Sequence, residues 1–257
     1  MILVVDIGNT NIFVGVYEEG KLMTTYRTET DMHRSSDDYA ILLQSFFVSK
    51  NWNVKITGSI VSSVVPSLTQ VFLQAIQKLF AITPLLVGNK IKSGLSIHME
   101  HANEVGADLI SVSVGAKEKY GYPALIVDLG TATKIMLVDK NGAFSGGIVM
   151  PGLKVSIAAL VGNTAQLPEI SLICPSKVIG KNTPDAMNAG TIYGHIDAIE
   201  GLCHRMEKEL GYPCKRILTG GYAPIVRDKL DEQFIYDENL ILDGLFILYQ
   251  KNGDTLK

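Results

Sequence analysis

The chain has 257 residues, 47% of them apolar and 19% charged, with a formal net charge of −3. That length suits one large domain or two of ordinary size, and the composition excludes a disordered chain. The near-neutral balance gives no support to a nucleic-acid or membrane-surface partner.

Ile2–Val5 is a short β-branched apolar run and predicts a buried strand. The run stops at Asp6, too short for the core of a signal peptide. Asp6-Ile7-Gly8-Asn9-Thr10-Asn11 has turn composition, and Ile12–Tyr17 predicts a returning strand, closed by Glu18-Glu19-Gly20. Helices are predicted over 37–48 and 67–80. Between them Gly58–Val65 reads as a strand running into a loop at Pro66. The uncharged stretch from Ile56 to Gln77 contains Pro66 and several polar residues, so strand plus helix explains it better than a membrane span. A further helix is expected over 107–120.

The opening pattern then returns. Leu125–Val127 is an apolar run, Asp128-Leu129-Gly130-Thr131-Ala132-Thr133 a turn, and Ile135–Val138 a second strand, closed by Asp139-Lys140-Asn141-Gly142. Asp6 and Asp128, Gly8 and Gly130, and Gly20 and Gly142 share one offset. Solenoid repeats are far shorter, so this spacing reads as duplication of a domain, with a boundary near Gly121-Tyr122-Pro123. Helices over 184–210 and 240–249 flank a strand-and-loop at Arg216–Tyr222. Alternating strands and helices make the chain α/β. The expected division is 1–121 and 122–257. Cys174, Cys203 and Cys214 show no close pairing and fit reduced thiols in a cytoplasmic protein.

A turn of Gly with small hydroxyl and amide side chains offers backbone N–H groups to a phosphate with little steric bulk. A carboxylate at the strand end, as at Asp6, cannot meet a phosphate directly, but it can hold Mg²⁺ through water. One such turn is ordinary; two at a domain-scale spacing point to nucleotide. Neither GxxxxGK[ST] nor GxGxxG occurs, so P-loop and Rossmann readings have no support. His98 and His101 lack an evident third ligand for a metal site. Glu18-Glu19 and Asp231-Glu232 read as solvated charges.

DIGNTN at 6–11, DLGTATK at 128–134 and LTGG at 218–221 resemble the two phosphate motifs and the adenosine loop of the sugar kinase, chaperone and actin superfamily. Together with SSVVP at 62–66, EVGAD at 104–108, GGIVMPGL at 146–153 and TAQLP at 164–168, in this order, they are similar to the type III pantothenate kinases. The resemblance covers nearly the whole chain. It implies a duplicated ribonuclease H-like (actin-like ATPase) fold with a nucleotide cleft between two related halves. It also implies a homodimer and ATP-dependent phosphorylation of pantothenate, with Mg²⁺ and a monovalent cation, K⁺ or NH₄⁺.

By this resemblance Asp6, Gly8, Asn9, Thr10, Asn11 and Thr131 contact ATP, and Asp128 holds the monovalent cation. Asp108 is the base that takes the proton of the substrate hydroxyl, with Gly106, Ala107 and Thr183 at the substrate. Three alternatives come from the residues themselves: Asp108 as a helix N-cap, Thr183 as a cap before Pro184, and Asp128 as a second Mg²⁺ contact that duplicates Asp6. Most relatives carry Tyr-x-x-Pro before Gly-Ala-Asp and Arg after it, where this chain has Met99, Ala102 and Leu109. Leu109 cannot pair a carboxylate, so Lys134 and backbone donors become candidates for that contact. A kinase for another hydroxyl-bearing metabolite, and a non-catalytic regulatory protein of the same fold, are the competing readings. The apolar stretch Ile148–Leu153 is a candidate either for a dimer contact or for core.

Overall fold

The computed structural model describes residues 1–50, 55–88, 91–231 and 233–253. It divides into two compact units. One comprises 1–95, 101–115 and 240–257, the other 96–100 and 116–239.

The first unit opens with β1 (Ile2–Ile7), β2 (Asn11–Glu18) and β3 (Lys21–Glu29), followed by α1 (Ser36–Ser49), β4 (Gly58–Ser63), α2 (Pro66–Phe80) and β5 (Leu85–Leu86). Its sheet runs in the order β3-β2-β1-β4-β5. β1 is antiparallel to β2 and parallel to β4. β1 is apolar along almost its whole length because a strand covered on both faces cannot alternate. β3 does alternate, exposed and half-buried in turn, as an edge strand with one face to solvent. Ser35 caps α1 in a reciprocal box with Asp38, and Pro66 occupies the first turn of α2. Leu68, Phe72, Ala75 and Ile76 turn one face of α2 into the core with Tyr39 and Leu43 of α1.

α3 (Ala107–Tyr120) carries the chain from the first unit to the second, its last turn belonging to the latter. The second unit contains β6 (Ala124–Leu129), β7 (Ala132–Val138), β8 (Phe144–Pro151), α4 (Leu153–Gly162), α5 (Thr183–Leu210), β9 (Lys215–Thr219), the short α6 (Ala223–Val226) and β10 (Phe234–Tyr236). The sheet order, β10-β9-β6-β7-β8, is that of the first sheet with each strand replaced by its counterpart. β6 is likewise antiparallel to β7 and parallel to β9. Asn182 caps α5, and Gly211, in the left-handed region at φ 76°, ends it. α7 (Leu240–Asn252) packs on β1, β2 and β4 of the first unit.

The repeat is therefore one of strand order as well as motif, with one difference of register. Asp6 pairs across the ladder with Phe13, whereas Asp128 pairs with Lys134. The second turn is one residue shorter, so the shared offset slips by one along the returning strand and is regained at Gly20 and Gly142. A turn can lose a residue because few contacts depend on it, whereas the buried strands hold their register. Among the described residues no helix is long and apolar enough to cross a membrane.

Candidate functional site

In an open α/β sheet, ligands bind beyond the carboxyl ends of the strands, where the strand order reverses. β1 and β6 occupy that place in their sheets, each with an antiparallel neighbour on one side and a parallel one on the other. Asp6 and Asp128 are the next-to-last residues of these strands.

The last ladder pair of the first hairpin is Ile7 with Ile12, leaving Gly8–Asn11 as the turn. The Gly8 N–H donates to the Asn11 carbonyl at 3.0 Å. Thr30, just past β3, secures the turn twice: its N–H donates to the Thr10 carbonyl at 2.9 Å and its hydroxyl to the Gly8 carbonyl at 2.7 Å. Three turn carbonyls are thus satisfied within the protein. No side chain of the turn is larger than Asn, which leaves room for a polyanion to approach the backbone. The half-buried Asp6 carboxylate supplies the oxygen donor that a hydrated Mg²⁺ prefers. These residues fit nucleotide phosphate with its magnesium.

In the same unit, Asp108 lies in the first turn of α3. The helix begins at Ala107, so the N-cap alternative for Asp108 fails by two positions. Its Oδ1 accepts from the Leu109 N–H at 2.9 Å, and a carboxylate in a first helical turn is favoured by the helix dipole. A Cβ on Gly106 would sit 2.5 Å from that same oxygen. Glycine at 106 therefore gives the Asp108 carboxylate its place. The carboxylate is half-exposed, as a base serving a bound hydroxyl must be.

The second hairpin, in the other unit, is built more tightly. The Gly130 N–H donates to the Ala132 carbonyl at 3.2 Å, and the Gly152 N–H to the Thr131 carbonyl at 3.1 Å. A Cβ on Gly152 would lie 2.4 Å from the Thr131 oxygen, so the turn into α4 lies flat against the loop. The Gly220-Gly221 loop approaches from β9. Gly220 has φ 98°, and a Cβ there would meet Asp128 Oδ1 and the Leu129 nitrogen, each at 2.5 Å. The Tyr222 N–H donates to the Leu129 carbonyl at 3.0 Å. The structure thus brings together the Asp128–Thr131 turn and the Leu218–Gly221 segment, two features far apart in sequence. Thr131 is exposed.

Two contacts here escaped sequence reasoning. Lys134 Nζ lies 3.2 Å from Asp128 Oδ2, an ion pair in which both side chains are about four-fifths buried, at 18% and 21% exposure. Behind it the buried Thr133 hydroxyl meets His195 Nε2 of α5 at 2.7 Å. Burial holds the His195 imidazole below its ordinary pKa. No periodicity marks His195 as special; only its contact with Thr133 shows it.

Thr183 is exposed as the first residue of α5, and the cap is Asn182, whose Oδ1 accepts from the Asp185 N–H at 2.8 Å. The cap alternative for Thr183 therefore fails. Within the Ile148–Leu153 stretch the side chains divide: Leu153 is core, while Val149 on β8 is 72% exposed. His98 lies 3.8 Å from Asp139, whose carboxyl is partly desolvated yet held below its ordinary value by N–H and hydroxyl donors at the β7–β8 turn. Asp231 pairs with Arg216, and Glu232 falls outside the described residues.

A protein-family model described as type III pantothenate kinase matches residues 2–205. A type III pantothenate kinase from Bacillus cytotoxicus is 41% identical over 254 residues, covering 98% of this chain and 97% of that protein. Among solved structures, a conserved Campylobacter jejuni protein assigned by its description to a Baf family of transcriptional activators is 20% identical. It aligns with a TM-score of 0.59 over 98% of this chain and 99% of its own. The activator of 2-hydroxyisocaproyl-CoA dehydratase from Clostridium difficile, solved with bound ADPNP, is 12% identical. Its TM-score is 0.52, over 99% of this chain and 96% of its own. At these identities the structural likenesses speak for the fold alone, a duplicated actin-like ATPase fold with two halves.

Proposed function

Because the chain belongs to the type III pantothenate kinase family, we infer that it transfers the γ-phosphoryl group of ATP to pantothenate, giving 4'-phosphopantothenate, the first step toward coenzyme A. ATP with Mg²⁺ is the phosphoryl donor. The observation that carries the reading is the pair of Asp-x-Gly turns, each at the end of the central strand of two sheets with one strand order.

We propose the following roles. Asp6 holds Mg²⁺ through water, and the backbone of Gly8, Asn9, Thr10 and Asn11 receives phosphate, with Thr131 contacting ATP from the second turn. Mg²⁺ held there would offset the phosphate charge as the phosphoryl group is transferred. Asp108 orients the pantothenate primary hydroxyl and accepts its proton. The hydroxyl oxygen forms the new bond to the γ-phosphorus as the bond to the β-bridging oxygen breaks, releasing ADP. Gly106 and Ala107 leave room beside Asp108 for the substrate, and Thr183 contributes a hydroxyl contact. Segments 1–121 and 122–257 are the duplicated halves of the sequence, a division supported by the assignment of β1–β5 to one sheet and β6–β10 to the other, while α7 packs with the first compact unit.

A single positive charge at Asp128, in the family pattern K⁺ or NH₄⁺, belongs to the same proposal. A carboxylate turned toward phosphates raises their energy unless a cation lies between. The chain acts as a cytoplasmic homodimer, with the exposed Val149 of β8 and Val155 and Leu160 of α4 as the apolar surface that supports this.

The test is a coupled ADP-release assay of the full chain on pantothenate and a panel of small hydroxy acids and alcohols. Turnover on pantothenate well above the rest supports the reading. Preference for another alcohol moves the substrate, as Leu109 in place of Arg would allow. Absence of turnover on all of them, with nucleotide bound, would favour a regulatory protein.

A further inference from the structure

The second phosphate turn carries its own cation. Asp128 and Lys134 are direct partners in the β6–β7 ladder. Residues opposite one another on neighbouring antiparallel strands project to the same face, close enough for their side chains to meet. They do meet, with Nζ 3.2 Å from Oδ2, and both are largely removed from solvent. Such a pair is screened by solvent and salt less than a surface ion pair is. The place opposite Asp6 in the first hairpin is taken by Phe13, buried beneath the Arg27 guanidinium 4.1 Å from its ring. The shortened second turn is what sets a lysine against the second aspartate.

We propose that the Lys134 ammonium supplies, from within the chain, the single positive charge that a bound K⁺ or NH₄⁺ would otherwise place at Asp128. The inference rests on the nucleotide reading given above. An alkylammonium has the charge and the N–H donors of NH₄⁺, and its tether removes the need to recruit an ion from solution. A second monovalent ion at the same carboxylate would meet the lysine's charge at close range, and the pair would have to open to admit it. Asp128 thus fits a cation, and the cation that the fold provides is Lys134. The assignment also turns Lys134 away from pairing the substrate carboxylate, since its ammonium already meets Asp128.

The experiment is calorimetric titration of the full chain with ADP and Mg²⁺ in sodium, potassium and ammonium chloride at equal ionic strength. The wild-type dissociation constant is expected to agree within about twofold across the three salts. Lys134→Thr, which keeps a strand-favouring residue, is expected to bind ADP at least about fivefold more weakly in sodium and to recover in potassium or ammonium. Tightening of the wild type by about fivefold or more in potassium would overturn the proposal without any variant. So would a folded Lys134→Thr protein, verified by its thermal melt, that binds as the wild type does in sodium. Failure to bind ADP in any salt would instead remove the nucleotide reading, and this inference with it.

Discussion

Replacing Gly220 by alanine probes how closely the Leu218–Gly221 loop must lie against the second phosphate turn. Gly220 has φ 98°, a region in which an L-residue costs about 1–3 kcal/mol. The added Cβ would also lie 2.5 Å from Asp128 Oδ1, 2.5 Å from the Leu129 nitrogen and 2.6 Å from the Leu129 oxygen. Two of these three atoms are backbone of β6 and cannot swing aside, so the loop itself must retreat. Its retreat breaks the Tyr222 N–H bond to the Leu129 carbonyl, worth about 1 kcal/mol. The total is roughly 2–4 kcal/mol, or roughly 5–15 °C in melting temperature for a protein of this size. Gly211→Ala is the control, because Gly211 has φ 76° but nothing within 4 Å of a Cβ. It should cost about 1 kcal/mol and only a few degrees. Thermal melts of both variants, with and without ADP and Mg²⁺, separate conformation from contact. Gly220→Ala should melt well below Gly211→Ala and lose most of its nucleotide-induced shift. Equal melts with equal shifts would refute the idea that the loop is wedged against the turn.

Two further outcomes follow from single residues. Asp6→Asn should raise the ATP requirement severalfold, with partial recovery at high Mg²⁺; an unchanged ATP saturation curve would take Asp6 away from the metal. Burial holds His195 neutral in the fold, below its ordinary pKa. As pH falls through the ordinary imidazole range, the unfolded chain gains a proton that the folded chain does not, so this contribution is present above that range and lost below it. His195→Gln keeps an amide for the Thr133 hydroxyl but does not titrate, so denaturant unfolding should fall less steeply with acid than in the wild type; parallel slopes would contradict the assignment.

Much of this architecture was legible in the residues because buried runs and breakers coincide. The helix expected over 107–120 is α3 to the residue, and the strands expected at Ile2–Val5 and Leu125–Val127 fall within β1 and β6. What escaped was structure without a strong pattern. β3 reads as mixed polar residues because it is an edge strand, and β5 has two residues. The end of β8 runs through Gly152 into α4 in the uncharged apolar stretch Ile148–Leu153, so no period marks the change from strand to helix there. The candidate site was legible as motifs, since Asp-x-Gly and Gly-Ala-Asp are local. The Asp128–Lys134 pair was hidden because it depends on ladder register, which shifts with one residue in a turn. Thr183 and Asp108 both sat where a cap would be reasonable; only the helix starts, set by Asn182 and at Ala107, remove that alternative.

We propose that this chain phosphorylates pantothenate with Asp108 as the base. It is tested most directly by following the ³¹P resonances of ATP, ADP and phosphopantothenate in mixtures of ATP and pantothenate with the purified wild type and with Asp108→Asn, alongside ADP affinity for each. The account predicts phosphopantothenate and ADP in equal amounts from the wild type. It predicts a rate lower by about 10²–10⁴-fold from the variant, with nucleotide affinity essentially kept. A variant that turns over at near the wild-type rate, or a wild type that binds nucleotide and leaves pantothenate untouched, would contradict it.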